Sequence, residues 1–426
     1  MQKALIICYY WPPAGGPGVQ RWLKFVKYLR DFDIEPVIYV PENPNYPILD
    51  KTLEKEIPAQ LNVYKHKIFE PYGISKLFWK GETKQISRGI IKAKNQSLSE
   101  KALLWIRGNL FIPDARKYWV KPSVEFLSGI IQKEGIKTII TTGPPHSVHL
   151  IGLNLKNKFD IKWLADFRDP WTSIGYHKKL RLTAIAHKKH KKLERFVLNT
   201  ADKILVTSNT TKKEFTALTD KPIVTITNGH DLDVNEVVSL DDKFTLSHIG
   251  SLLTGRNPKN LWKVLAELVQ SNESFRASFQ LKLVGVVSTD VLDTIYNHGL
   301  KEYVTLVDYL THDEAIRFLR KSQVLLLVEI NSEETKGIIP GKLFEYMAVG
   351  RPILGVGPQD WEAARIIKES NCGAAFDYTE DSELKTLLLK WFATYTAEEL
   401  TIVPNGVDQY SRRELTKQLA AELQWE

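Results

Sequence analysis

The residues best able to do chemistry in this sequence fall in five short segments. The densest is 337–354, GIIPGKLFEYMAVGRPIL. A loop of glycine and proline there runs into a helix at Lys342, and the start of a helix attracts an anion. Lys342 adds a positive charge at that point, with Leu343 next to it. Glu345 sits one turn in, where its carboxylate could accept two hydrogen bonds from sugar hydroxyls. A structural helix with a surface glutamate is the plainer alternative. Segment 248–257, HIGSLLTGRN, follows an apolar run. Gly250 gives a ligand access to backbone, and Arg256 can pair with a diphosphate.

The other three segments lie in the first half. AGGPG at 14–18 separates a first apolar run from a helical pattern. It lacks the Lys-Ser/Thr of a Walker A loop and the spacing of a dinucleotide fingerprint. Gly15 and Gly16 still let backbone approach a ligand closely. TTGPPH at 141–146 puts His146 just after a strand-like run, a place for a general acid/base or a hydrogen-bond donor. DFRDPW at 166–171 follows the next run. Its three charges, with Arg168, Asp169 and Trp171 beside a sheet edge, are unusual for a mere turn. For both segments a merely structural loop is the alternative. The basic run from His177 to Arg195 reads as a solvated helix starting near Lys179. No aromatic repeat beside it supports stacking on single-stranded nucleic acid. Lysines crowd His187 and His190, so zinc is not expected there, nor any metal elsewhere.

Strands and helices must alternate to bring these segments to common edges. Residues 3–9 are a short apolar run fit for a buried parallel strand, followed by the glycine loop, a helical pattern over 19–29 and a second strand at 36–40. That order is a βαβ unit. Further strands are expected at 138–142, 162–166, 203–207 and 223–227. The second half repeats the logic with strands at 244–249, 280–284, 304–307, 324–328 and 352–355, and helices at 260–269, 312–319 and from 342. Each chemical segment then lies at the carboxyl end of a strand, where ligands of open parallel sheets bind. The expected organisation is α/β throughout. One doubly wound domain spans 1–230, a second spans 243–400, and a last helix lies within 408–426.

Composition agrees with this reading. The chain has 426 residues, 43% hydrophobic and 25% charged, which excludes disorder, collagen and coiled coil. Two cysteines, Cys8 and Cys372, are too few for a disulfide framework and read as buried thiols of a reducing compartment. No apolar stretch is long enough to span a bilayer, and the N-terminus lacks the form of a signal peptide. Charge is uneven: residues 1–230 hold 38 Lys+Arg against 20 Asp+Glu, and the remainder holds 20 against 30. A basic half can meet a phosphorylated substrate, an anionic membrane or nucleic acid. Residues 70–125 fit the strand–helix scheme poorly. Their apolar residues and lysines read either as basic amphipathic helices at a membrane interface or as a helical insertion packed on its own domain.

Taken together, these segments resemble a retaining family 4 glycosyltransferase (glycosyl transferases group 1) of the GT-B fold. The resemblance runs from Gly15-Gly16 to about Ala375 and is firmest at 340–354, 250–256 and 308–315. It implies two facing Rossmann-like domains with parallel sheets, the last helix returning to the first domain. It implies a nucleotide-sugar donor such as a UDP- or GDP-sugar on the second domain, and a saccharide or lipid-linked acceptor on the first. It also implies transfer with retention of configuration, no metal or other cofactor, and work in cell-surface glycan synthesis. Such an enzyme would be cytoplasmic, with an anionic membrane surface as a possible partner and no nucleic acid. Glu345 matches the second glutamate of the family's Glu-x7-Glu motif, which binds the donor ribose; Gly337 stands where the first should be. Gly15, Gly16, Gly250, Arg256, Lys342, Leu343 and Glu345 become donor-binding candidates. His146 and then Asp169 become the catalytic candidates, and Arg168 and Trp171 the acceptor-binding ones. Two other classes stay open: a nucleotide-sugar epimerase of the same fold, and a non-catalytic nucleotide- or nucleic-acid-binding protein. The acidic second half argues against the nucleic acid.

Overall fold

The computed structural model describes residues 1–70, 98–232 and 238–425. It divides into two compact units, Met1–Thr227 with Arg412–Glu426, and Asn228–Ser411. The first unit is built on seven parallel strands: β1 (Gln2–Cys8), β2 (Ile34–Pro41), β3 (Asn62–His66), β4 (Thr138–Gly143), β5 (Lys162–Phe167), β6 (Lys203–Val206) and β7 (Ile223–Thr225). Their order is β3-β2-β1-β4-β5-β6-β7. Its helices are α1 (Pro17–Tyr28), α2 (Leu98–Leu110), α3 (Lys117–Glu134), α4 (Ser147–Lys158), the short α5 (Gly175–Lys178), α6 (Ala184–Thr200) and α7 (Asn209–Thr216).

Strand β1 shows why the sheet is covered on both faces. Side chains alternate along a strand. Leu5 and Ile7 enter one core with Val37, Ile139, Val148 and Trp163. Ala4 and Ile6 enter the other with Trp22, Phe25, Ile38 and Leu164. A continuous apolar run is what such a strand requires.

The second unit has six parallel strands: β8 (Phe244–Ile249), β9 (Phe279–Val284), β10 (Val304–Val307), β11 (Val324–Val328), β12 (Ile353–Val356) and β13 (Gly373–Phe376), in the order β10-β9-β8-β11-β12-β13. Its helices are α8 (Lys259–Ser271), α9 (Glu273–Ser278), α10 (Thr289–Asn297), α11 (His312–Lys321), α12 (Lys342–Ala348), α13 (Glu362–Glu369) and α14 (Asp381–Thr396). The capping box of Thr311 and Glu314 starts α11. Both sheets change winding direction once, between β1 and β4 and between β8 and β11. The last helix, α15 (Arg412–Leu423), belongs to the first unit. Leu415, Leu419 and Leu423 join the core that holds Trp22, and Lys203 pairs with Glu422 at 2.7 Å.

Two expectations change. The basic run does not form a helix from Lys179. Instead α6 begins at Ala184, where the Thr183 hydroxyl accepts the Ala186 N–H. Of the basic insertion expected over 70–125, residues 71–97 lie outside the described residues. In its described part, Leu103 and Leu104 of α2 pack on Leu180 and Leu182, within the same unit. Among the described residues no helix is long and apolar enough to cross a membrane.

A buried ion pair ties the first unit together at the carboxyl end of β5. Asp166 and Arg21 are both 0% exposed. Arg21 Nη2 donates to Asp166 Oδ1 at 3.2 Å, Trp22 Nε1 donates to Oδ2 at 2.7 Å, and Thr142 Oγ1 donates to Oδ2 at 2.8 Å. Arg21 also donates to the carbonyls of Ile226 at 2.9 Å and Thr227 at 2.7 Å. Removing one partner of a buried pair strands the other charge. Asp166→Asn should therefore lower stability by about 3–5 kcal/mol, or prevent folding. Urea denaturation followed by circular dichroism checks this, and a loss under about 1 kcal/mol would contradict it.

Candidate active site

In the second unit the candidate residues gather where the sheet changes direction. Strand β8 ends at Ile249, and Gly250 turns the chain with φ +107°, a conformation that favours glycine. Its N–H donates to Val284 O at 2.9 Å. A Cβ on Gly250 would lie 3.7 Å from Lys342 Nζ, so the glycine and the lysine face one spot. Lys342 is the first residue of α12. Its Nζ donates to Ile249 O at 3.2 Å and lies 3.2 Å from His248 Nε2. Nδ1 of that histidine contacts Leu326 O at 3.0 Å, so Nδ1 carries the hydrogen and Nε2 accepts from the lysine. Burial, and next the nearby Arg256, push the Lys342 pKa down to about 7 against the opposing pull of Glu329 and Glu345.

Arg256 is held from behind. Its Nε and Nη2 donate to Glu329 Oε1 and Oε2 at 3.2 and 3.1 Å. Glu329, the first residue after β11, is fully buried, whereas the Arg256 side chain is 33% exposed. The carboxylate thus fixes the guanidinium and leaves part of it open outward. Glu345 stands one turn into α12, and its Oε1 contacts His312 Nε2, at the start of α11, at 3.0 Å. Leu343 does not join this group: its side chain is 0% exposed and its N–H donates to Pro340 O at 2.9 Å. Nearby Glu333 does not stand in for the carboxylate missing at Gly337, since it points to solvent and pairs with Lys336 at 3.0 Å.

In the first unit the candidates lie at the ends of β1, β4 and β5. Gly16 caps α1 at φ +104°, and a Cβ added there would meet no atom within 4 Å, whereas a Cβ on Gly15 would press on Ile48 at 3.0 Å. A Cβ on Gly18 would fall 1.9 Å from Arg168 Nη1, so this glycine makes room for the guanidinium. Arg168 donates from Nε to Gly143 O at 3.2 Å and from Nη2 to Pro144 O. That guanidinium therefore holds the β4 loop. Asp169 follows it and is half-buried. Burial raises its pKa, partly offset by Arg168 and reinforced by Asp166.

His146 and Trp171 are placed differently from the expectation. His146 is 4% exposed, with neither ring nitrogen hydrogen-bonded, and stacks on Trp171 at 4.9 Å. Trp171 is 1% exposed and donates from Nε1 to His190 Nδ1 at 3.1 Å. Both rings are core groups, because PPH folds back over β5 and places the imidazole against Phe167 and Trp171. An acceptor does not reach Trp171, and His146 presents no nitrogen to solvent. Asp169 is the half-exposed titratable group at this strand end. Among the described residues no three His, Cys, Asp or Glu side chains converge as metal ligands.

Sequence reasoning missed Glu329, His248 as a lysine acceptor, and His312. A signal for Glu329 exists: it is the one charge directly after the run VLLLV.

No family model and no curated protein matches the sequence. Solved structures do match along nearly the whole chain. A glycosyltransferase from Rickettsia africae matches at 13% identity and a TM-score of 0.61, over 99% of this chain and 98% of that one. A mutant of S. aureus TarM, in complex with fondaparinux, alpha-GlcNAc-glycerol and UDP, matches at 13% identity and 0.60, over 100% of both chains. A Listeria monocytogenes protein described as a UDP-N-acetylglucosamine 2-epimerase matches at 12% identity and 0.56, over 99% and 96%. The fold is GT-B. Two Rossmann-like units with parallel sheets, and a last helix returned to the first unit, are its architecture here.

The buried histidines of the first unit make its stability pH-dependent. Burial is the largest cause that lowers the pKa of His146, His149, His177 and His190 below 6.5, His149 and His177 to about 3. Between these values and 6.5 the unfolded chain binds more protons than the folded one, so stability rises with pH there. Thermal stability should be full above about pH 6.5 and fall steadily toward pH 4. A pH series of melting curves checks this, and His146→Gln should flatten the slope.

Proposed function

We propose that this protein is a glycosyltransferase that moves a sugar from a nucleotide-sugar donor to a saccharide or lipid-linked acceptor in glycan biosynthesis. The observation that carries the reading is the grouping of Gly250, Lys342 and the Glu329-held Arg256 at the winding change of the second sheet, with Glu345 one turn further on. Two cations and a glycine turn at that point suit a diphosphate. A carboxylate nearby suits the two hydroxyls of a ribose. UDP in the complex of the similar TarM structure supports the same ligand class.

The chemistry asked of these groups is electrostatic. As the bond from sugar to diphosphate breaks, negative charge grows on the leaving phosphate. Arg256 and Lys342 stabilise it where it forms. Glu329 keeps Arg256 oriented beforehand, so little reorganisation is needed at the moment of reaction. On the acceptor side Asp169 orients the attacking hydroxyl. The hydroxyl bonds to the sugar on the face from which the diphosphate departs, so the product keeps the donor's configuration, and the leaving phosphate takes the hydroxyl proton, so no second carboxylate is needed. The reading includes no metal and no cofactor beyond the nucleotide sugar. It includes a cytoplasmic enzyme whose basic first half lies near an anionic membrane surface.

A nucleotide-sugar epimerase is the second reading, favoured by the similar Listeria structure. Incubation with donor alone separates the two: an epimerase converts the sugar, whereas a transferase needs an acceptor. A thermal-shift screen of UDP- and GDP-sugars tests both, since either must be stabilised by its ligand.

Two outcomes are expected at the donor site. Glu345→Ala should weaken donor binding by about 1.5–3 kcal/mol, the worth of hydrogen bonds to a charged group, and leave the melting temperature nearly unchanged. Calorimetric titration with the stabilising nucleoside diphosphate measures it, and unchanged affinity removes the ribose role. Binding should also take up a proton above pH 7. Lys342 is held at about 7 in the empty site, and an arriving diphosphate favours its charged form. Affinity should therefore fall as pH rises from 7 to 9. Titration at pH 8 in buffers of different ionisation enthalpy reads the uptake directly, and Lys342→Gln should abolish it.

A further inference from the structure

The carboxylate of Glu345 is itself held in place. It lies in the first turn of α12, and its Oε1 is 3.0 Å from Nε2 of His312, the first residue of α11. A carboxylate oxygen only accepts, so Nε2 carries the hydrogen and donates it. Among the described residues this carboxylate has no second hydrogen-bond partner. The imidazole is therefore what sets its direction.

The two helices that carry the pair are fixed within the second unit. At the start of α11 the Thr311 N–H donates to Glu314 Oε2 at 2.8 Å, which commits that acid to the cap. Ile316 and Leu319 of α11 share one core with Leu343, Phe344 and Met347 of α12. Helix α12 is fastened in turn to the end of β8. Lys342 Nζ donates to Ile249 O at 3.2 Å, and Tyr346 Oη accepts from the Ile249 N–H at 3.1 Å. Glu345 sits between those two anchors on the same helix. Groups carried by packed helices keep their geometry better than groups on loops.

Stability does not account for the contact. The Glu345 side chain is 25% exposed and the His312 side chain 56%. Ion pairs that open to water add little to folding. Asp313, whose Oδ1 stands 4.0 Å from Nδ1 of the ring, is 93% exposed and adds less still. What the imidazole does supply is orientation. A carboxylate offers about four lone-pair positions, so one taken by Nε2 leaves the others, including both on Oε2, for hydroxyls.

We propose that His312 is a positioning residue: it turns the Glu345 carboxylate to accept both hydroxyls of a ribose, and so makes the site select ribonucleotides over 2′-deoxyribonucleotides. The inference rests on the reading of this site as one for a nucleotide sugar. With the imidazole gone, the carboxylate rotates about its side-chain bonds, and the cost of fixing it falls on the binding step. A ligand without the 2′-hydroxyl leaves a held carboxylate one hydrogen bond short. A site built to bond a hydroxyl rejects the analogue that lacks it.

The test is calorimetric titration of the full-length chain with UDP, GDP and their 2′-deoxy forms, without acceptor. The wild-type chain should bind the favoured nucleotide about tenfold or more tightly than its 2′-deoxy form. His312→Ala should shrink that ratio at least threefold. His312→Gln, which keeps an N–H donor, should restore it to within twofold of wild type. Glu345→Ala should bring the ratio close to one, and adding His312→Ala to Glu345→Ala should change it no further. Circular dichroism confirms that each variant is folded, and a partly inactive sample cancels from a ratio of two ligands on one chain. A wild-type ratio near one, a ratio unmoved by His312→Ala, no recovery in His312→Gln, or a further change in the double variant would each overturn the proposal. Those results, with nucleotide still bound, leave the transferase reading standing. Binding of neither UDP nor GDP by the wild-type chain would overturn both.

Discussion

One carboxylate, Asp166, organises the ligand-facing edge of the first unit. Three donors from two other elements reach it: Arg21 and Trp22 from α1, and Thr142 from β4. An ionised carboxylate without water is costly to bury, so each donor must be in place for the pair to exist. The same arginine also fixes the carbonyls of Ile226 and Thr227, the point where the chain leaves this unit. Helix α1, the central strands and the exit are therefore positioned by a single charge. The glycine loop and the DFRDPW segment inherit that placement, because they are the immediate neighbours of α1 and of Asp166.

The second unit uses the same kind of contact to a different end. Glu329 is as buried as Asp166, but its partner Arg256 is only partly so. One side of the guanidinium is neutralised and fixed while the other stays available. Lys342, close by, is held differently. Its ammonium rests on a carbonyl and an imidazole nitrogen, which explains why burial can depress it. A constant charge and an adjustable one thus sit at the same strand ends.

Much of this is legible in the sequence, for physical reasons. Runs such as LIIC, TIITT and VLLLV are buried on both faces, and nothing but a central parallel strand fits them. The glycine and charge clusters follow those runs directly, so their place at strand ends can be read off. Two of the four edge strands, β3 and β13, cannot. In β3, Asn62, Val63, Tyr64, Lys65 and His66 are mixed and half-exposed, and β13 is a short GAAF. Gly373 there passes so near Ile353 that a Cβ would lie 2.1 Å from its carbonyl oxygen, a tertiary constraint with no local signature. Side-chain direction is likewise hidden. Chemistry and position alone mark His146 and Trp171 as site residues, and the stacking that turns both inward depends on α6, many residues away. Glu345 and Lys342 are legible because a helix start leaves few directions for its first turn.

The placement of α15 has a consequence for biogenesis. Leu415, Leu419 and Leu423 cover the apolar face shared by Trp22 and Phe25, yet they follow the whole second unit in the chain. Domains generally fold in order as the chain emerges. Here the first unit cannot close its core until the second has been fully translated. A ribosome-bound chain therefore carries that uncovered face while the second unit is being made. Any cut that separates the halves at Thr227 leaves the amino-terminal piece with an open, sticky face. An isolated first half would need the final helix grafted back onto it to be soluble.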